Sequence, residues 1–229
     1  MLPGLDDGAA DLDEALAICR EAAADGIEAI AGTPHVRSDY PTTPEEMESA
    51  LAGLQSVARD VIRLLPGGEL ALDELGRPDE ELARFGLGGN PRYLLVETPY
   101  FGWPLDFAST LVDLLERGFT PVLAHPERNG DVQHRPELVE QLVDLGALVQ
   151  VTASSVDGRG GRRTRACAAT LLEQRCVHII ASDAHTPAIR AVGMSAAAHA
   201  VGDAELARWL TSDVPRAIVE DSPLPARPR

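Results

Sequence analysis

Apolar positions along the chain alternate between two spacings. Across residues 11–25, Leu12, Leu16, Cys19 and Ala23 recur at helical spacing, and Gly26 stops the run. Residues 27–31 then read as a short buried strand. Thr43-Pro44-Glu45-Glu46 supplies an N-cap, a proline in the first turn and a glutamate at N3, opening a helix that extends to residue 65. Residues 68–72 read as a strand and 93–97 as a clearer one. A helix over 105–117 is stopped by Gly118, and a strand follows at 121–124. The pattern continues with a helix at 136–145 stopped by Gly146, a strand at 147–151, a helix at 163–175 and a strand at 178–182. Helical segments run on to residue 220. Residues 76–91 are irregular, with room for one short helix.

Strand followed by helix, repeated with short connections, predicts an α/β fold with parallel strands. The six strands have no polar face, which suits a β/α barrel covered by helices. No linker or low-complexity stretch divides the chain, so residues 1–222 are expected to form one domain, with 223–229 a disordered tail.

Composition narrows the function. A net charge of −16 argues against nucleic-acid binding, which needs a basic face, and against docking on an anionic membrane. No run of about 18 apolar residues is present, so no membrane insertion is expected. The first residues lack the basic and apolar regions of a signal peptide. Three cysteines, Cys19, Cys167 and Cys176, suit free thiols in a reducing cytoplasm. All 20 basic residues are Arg, an ordinary result of codon bias.

In parallel β/α folds, chemistry gathers where strands end. Here the strand ends carry Thr33-Pro34-His35, Gly68-Glu69, Glu97-Thr98-Pro99, Ala124-His125-Pro126-Glu127-Arg128-Asn129 and Ser182-Asp183-Ala184-His185. One charged strand end is ordinary; five of six, holding three of the chain's six His, point to a metal site. Imidazole mixed with carboxylate suits zinc, manganese or iron. Asp183 and His185, two apart, point the same way on an extended segment. Arg128 and Arg190 follow metal-type residues at loop distance, where a guanidinium grips two phosphate oxygens. The run Arg159 to Arg165 either grips an acidic phosphopeptide or is a solvated loop. A cysteine phosphatase is excluded, because no Cys is followed six residues later by Arg. A Walker loop and a Gly-x-Ser-x-Gly elbow are also missing.

Together with Leu2-Pro3-Gly4-Leu5-Asp6-Asp7-Gly8-Ala9 and Gln150-Val151-Thr152-Ala153, these motifs resemble the PHP-domain tyrosine phosphatases of capsule and exopolysaccharide loci, the CpsB/CapC type. The resemblance spans nearly the whole chain. It implies a distorted, TIM-like β/α barrel of the PHP type with a three-metal site, usually of Mn²⁺. Asp7, His35, Glu69, Glu97, His125, Asp183 and His185 would be metal ligands, with Glu97 bridging two ions and Asp6 the substitute for Asp7. Arg128 and Arg190 would hold the phosphate as catalytic residues. The substrate would be the phosphotyrosine tail of a bacterial tyrosine kinase. Val36 stands where the family often has a second His. The family's opening His-x-His pair is also missing. That predicts a barrel without its first strand, and an upstream in-frame extension supplying strand and pair. Two rival readings remain: a small-molecule phosphatase of the histidinol-phosphate type, and a non-catalytic regulatory barrel.

Overall fold

The structure is a computed structural model that describes residues 1–185 and 191–229. Nine strands are present among the described residues: β1 (Ala29–Ala31), β2 (His35–Arg37), β3 (Tyr40–Pro41), β4 (Arg63–Leu65), β5 (Glu69–Leu70), β6 (Tyr93–Glu97), β7 (Thr120–Ala124), β8 (Leu148–Thr152) and β9 (Ile179–Ala181). The helices are α1 (Leu12–Ala24), α2 (Pro44–Ala58), α3 (Asp79–Arg84), α4 (Phe107–Glu116), α5 (Glu137–Asp144), α6 (Ala153–Asp157), α7 (Arg162–Glu173), α8 (Met194–Val201), α9 (Ala204–Arg208) and α10 (Val214–Val219). No helix among the described residues is long and apolar enough to cross a membrane.

The fold is α/β with a predominantly parallel sheet. Seven strands run in the order β3-β2-β5-β6-β7-β8-β9, and β1 pairs with β4 separately. Every residue of β6 and β8 is buried, which is why these strands show no polar alternation. Helices cover the faces, and one continuous apolar core joins them to the strands.

The expected barrel does not close among the described residues. The β2–β3 hairpin pairs Val36 with Pro41 and Arg37 with Tyr40, so the outer edge of β2 is taken by its own antiparallel partner. At the other end β9 pairs with β8, and the ladder stays open.

β1 with β2, and β4 with β5, are two strands each interrupted once, at the same level. Ala31 pairs with Leu65 below the break and His35 with Glu69 above it, a separation of 34 positions in both cases. The Gly32 amide donates to the Leu65 carbonyl and the Glu69 amide to the Pro34 carbonyl, bridging the gap. Pro34 and Pro66 lack an amide to continue the ladder. Gly68 is required there, because a Cβ would sit 2.6 Å from the buried Phe85 ring.

Two local expectations need correction. The second helix stops at Ala58, with a Thr43–Glu46 capping box at its start as expected. Residues 63–65 form β4 instead: Pro66 disfavours helix at the residue before it, and the apolar run pairs with β1. The strand placed at 68–72 is shorter, with a 3-10 turn at Leu72–Glu74. Two residues near the C-terminus also touch the body. Trp209 Nε1 donates to the Pro225 carbonyl at 3.0 Å. The Arg227 guanidinium covers the Trp209 ring and donates to the Val177 carbonyl.

Candidate metal centre

The candidate ligands gather at one end of the sheet, at or beside the boundaries of their elements. His35 opens β2, Glu69 lies on β5, Glu97 closes β6, and His125 follows β7. Asp183 and His185 lie just beyond β9, and Asp7 comes from the N-terminal loop. His125 and Asp183 adopt left-handed backbone conformations, with φ of 39° and 49°. Residues other than Gly rarely do so. The strain bends the chain sharply at the strand end and turns both side chains into the cluster.

The seven residues converge. His125 Nε2 lies 2.8 Å from Glu69 Oε1, and His35 Nδ1 lies 4.0 Å from Glu69 Oε2. Asp7 Oδ1 is 3.6 Å from His35 Nε2 and 3.4 Å from His185 Nε2. His185 Nδ1 is 3.7 Å from Asp183 Oδ1. Two triads emerge, Asp7-His35-His185 and His35-Glu69-Glu97, each with donor atoms within 4.8 Å of one another and sharing His35. Asp6 does another job: its carboxylate accepts from the His35 amide at 3.1 Å and the Gly8 amide at 2.9 Å, holding the loop that presents Asp7.

The donor set fits metal ions. His35 Nδ1 and His125 Nδ1 are buried without a hydrogen-bond partner, and buried polar atoms are normally satisfied. Imidazole and carboxylate donors in this mixture suit Mn²⁺, Zn²⁺ or Fe²⁺. Electrostatics point the same way. Burial raises the Glu97 pKa, and the neighbouring Glu69 carboxylate raises it further. Burial alone would lower the His125 pKa, but the charge and hydrogen bond of Glu69 outweigh it, and the net shift is upward.

Arg128 reaches into the same mouth. Its guanidinium lies 2.6 Å from Asp183 Oδ2 and 3.5 Å from the Tyr100 hydroxyl. Burial works against its charge, but Asp183 and Glu127 more than offset that. Glu127 is fully buried, and its Oε1 accepts from the Thr152 amide at 3.0 Å and Ser155 Oγ at 2.8 Å. It thereby ties the turn carrying Arg128 to the end of β8. Arg190 lies outside the described residues.

Several participants carry no sequence signal of their own. Arg37 pairs with Glu97 at 2.9 Å and stands over the Tyr40 ring. Tyr100 stacks on His125, with centroids 5.7 Å apart. Asn129, noted only as part of a motif, donates to the carbonyls of Pro99 and Gly102 at 2.6 and 2.9 Å. An alternation pattern reports burial, not which distant partner a side chain meets.

Residues 1–219 match the family model for capsular polysaccharide synthesis proteins CpsB/CapC. The tyrosine-protein phosphatase YwqE of Bacillus subtilis is 34% identical over 191 residues, covering 81% of this chain and 74% of that protein. The tyrosine-protein phosphatase CpsB of Streptococcus pneumoniae is 27% identical over 231 residues, covering 95% of this chain and 94% of that protein. A crystal structure from work on YwqE and Streptococcus pneumoniae CpsB, described as unique metal-dependent tyrosine phosphatases, superposes with a TM-score of 0.89. It shares 29% identity and covers 100% of this chain and 96% of that one.

Proposed function

The chain belongs to the CpsB/CapC family of capsular polysaccharide synthesis proteins, and we propose that it is a metal-dependent phosphatase hydrolysing phosphotyrosine on a bacterial tyrosine kinase that controls capsule or exopolysaccharide production. The observation that carries this reading is the convergence of Asp7, His35, Glu69, Glu97, His125, Asp183 and His185, with two buried imidazole nitrogens left unpartnered. These residues would hold up to three Mn²⁺ ions. Metal ions held there would supply Lewis acidity toward phosphoryl oxygens and lower the pKa of a bound water.

The protein's own groups do the rest. Arg128 is assigned to the phosphoryl oxygens, where a fixed guanidinium offsets the charge that grows in the transition state. Arg190, outside the described residues, is assigned to the phosphate as well, on the family resemblance alone. Asp183 aims Arg128 while facing His185. A phenolate, with a free pKa of about 10, leaves without a strong general acid. Buried free thiols at Cys19, Cys167 and Cys176 support a cytoplasmic setting.

The test is metal analysis of the purified protein combined with turnover of a phosphotyrosine peptide and of histidinol phosphate. Bound manganese is expected, with peptide turnover that stops on chelation and returns with Mn²⁺. Full turnover in excess chelator would sink the proposal, and a preference for histidinol phosphate would transfer the site to small metabolites.

A further inference from the structure

One wall of the mouth has no part in holding metal or phosphate. Residues 99–102 leave the end of β6 and cross beside the cluster. Their backbone is braced: Asn129 Nδ2 donates to the carbonyls of Pro99 and Gly102, and the Gly130 amide donates to the Tyr100 carbonyl at 3.1 Å. Asn129 is itself buried, and its Oδ1 accepts from the amides of Asp131 and Val132. This anchored loop nevertheless turns an apolar ring outward: Phe101 is 91% exposed. A phenyl ring exposed to water gains nothing for folding, and that arrangement suits a surface that is covered during function.

The cleft beneath this ring leads back to the cluster. It has a volume of about 510 Å³ and is lined by Phe101, Tyr100, Pro99 and Leu72 together with Arg37 and Glu97. Benzene fits a cavity of about 150 Å³, so the cleft has room for a phenyl ring and adjoining peptide. Tyr100 links the two ends, since its ring stacks on His125 and its hydroxyl faces Arg128. A ring attached to a phosphate at Arg128 would run along Tyr100 and reach Phe101, where aromatic rings pair favourably.

We infer that this cleft receives the tyrosyl ring of the substrate and that Phe101 is a specificity-determining residue selecting aryl over non-aromatic phosphates. The inference rests on the phosphatase reading. Its test compares the manganese-loaded protein with Phe101→Ala and Phe101→Tyr on a phosphotyrosine hexapeptide and on acetyl phosphate, which has no ring. In Phe101→Ala the ratio of kcat/KM for peptide to kcat/KM for acetyl phosphate should fall about tenfold, mainly through KM for the peptide. Phe101→Tyr should restore it. An unchanged ratio, or equal losses on both substrates, overturns the inference and leaves the phosphatase reading standing. No turnover of either substrate by the unaltered manganese-loaded protein removes both.

Discussion

At the scale of single residues, Arg128 and Cys167 give opposite predictions. Arg128 is partly buried against Asp183 and carries the phosphate in the proposed reaction. Arg128→Ala should lower kcat roughly a hundredfold or more while metal content holds, since one transition-state contact is worth a few kcal/mol. Arg128→Lys should recover little, because an ammonium lacks the planar fork. Steady-state kinetics beside metal analysis decide it, and an unaltered kcat/KM would reduce Arg128 to a structural ion pair. Cys167 lies on the buried face of α7, where burial pushes its thiol up to about 12 and the nearby Glu127 adds to the shift. The thiolate is the reactive form. Iodoacetamide at pH 8 should therefore leave Cys167 unmodified in the native protein and label it after unfolding. Rapid native labelling, read by mass spectrometry, would contradict that burial.

Within elements, the β8–β9 pair contains a histidine that must stay neutral. His178 immediately precedes β9, and its Nδ1 accepts from the Val149 amide at 3.2 Å. Burial first, and the Arg227 charge second, lower its pKa to about 4. An unfolded histidine titrates near about 6.5. Between those values the unfolded chain binds the extra proton and the folded one does not. The stability tied to a neutral His178 is thus complete above about pH 6.5 and lost as pH falls toward 4, by up to about 3 kcal/mol. Denaturant unfolding at pH 7 and pH 4.5 should show a steeper acid loss than in His178→Asn, which keeps an acceptor without the titration. Parallel profiles would refute this.

The same scale shows what the sequence reveals and what it hides. His35, Glu69, Glu97, His125, Asp183 and His185 stood out because each closes or follows an apolar run, a local pattern. The pairing of Arg37 with Glu97 spans 60 positions, and the hold of Asn129 on residues 99–102 depends on two loops meeting. Neither leaves a periodic trace. The end of α2 was misplaced for a related reason, since residues 63–65 have apolar spacing compatible with either element and only the partner β1 decides.

For the molecule as a whole, charge and topology meet at the mouth. Four carboxylates, Asp7, Glu69, Glu97 and Asp183, are gathered there in a chain already at −16. Cations that bind only the folded state stabilise it by mass action, by about 2.7 kcal/mol at a hundredfold excess over Kd. Adding Mn²⁺ to metal-stripped protein should then raise Tm by about 5–10 °C for a domain of this size. An identical Tm would indicate that the cluster does not take the metal.

The synchronised breaks in β1–β2 and β4–β5 also constrain how the gene can change length. His35 meets Glu69 only because both strands use the same number of residues to cross the gap that begins after Ala31 and Leu65. Dropping one residue from a single crossing would slide one strand against the other and turn its side chain away from the mouth. Homologous genes should therefore show insertions or deletions here in matched pairs, one in each crossing, while the stretch containing α2 tolerates unpaired ones.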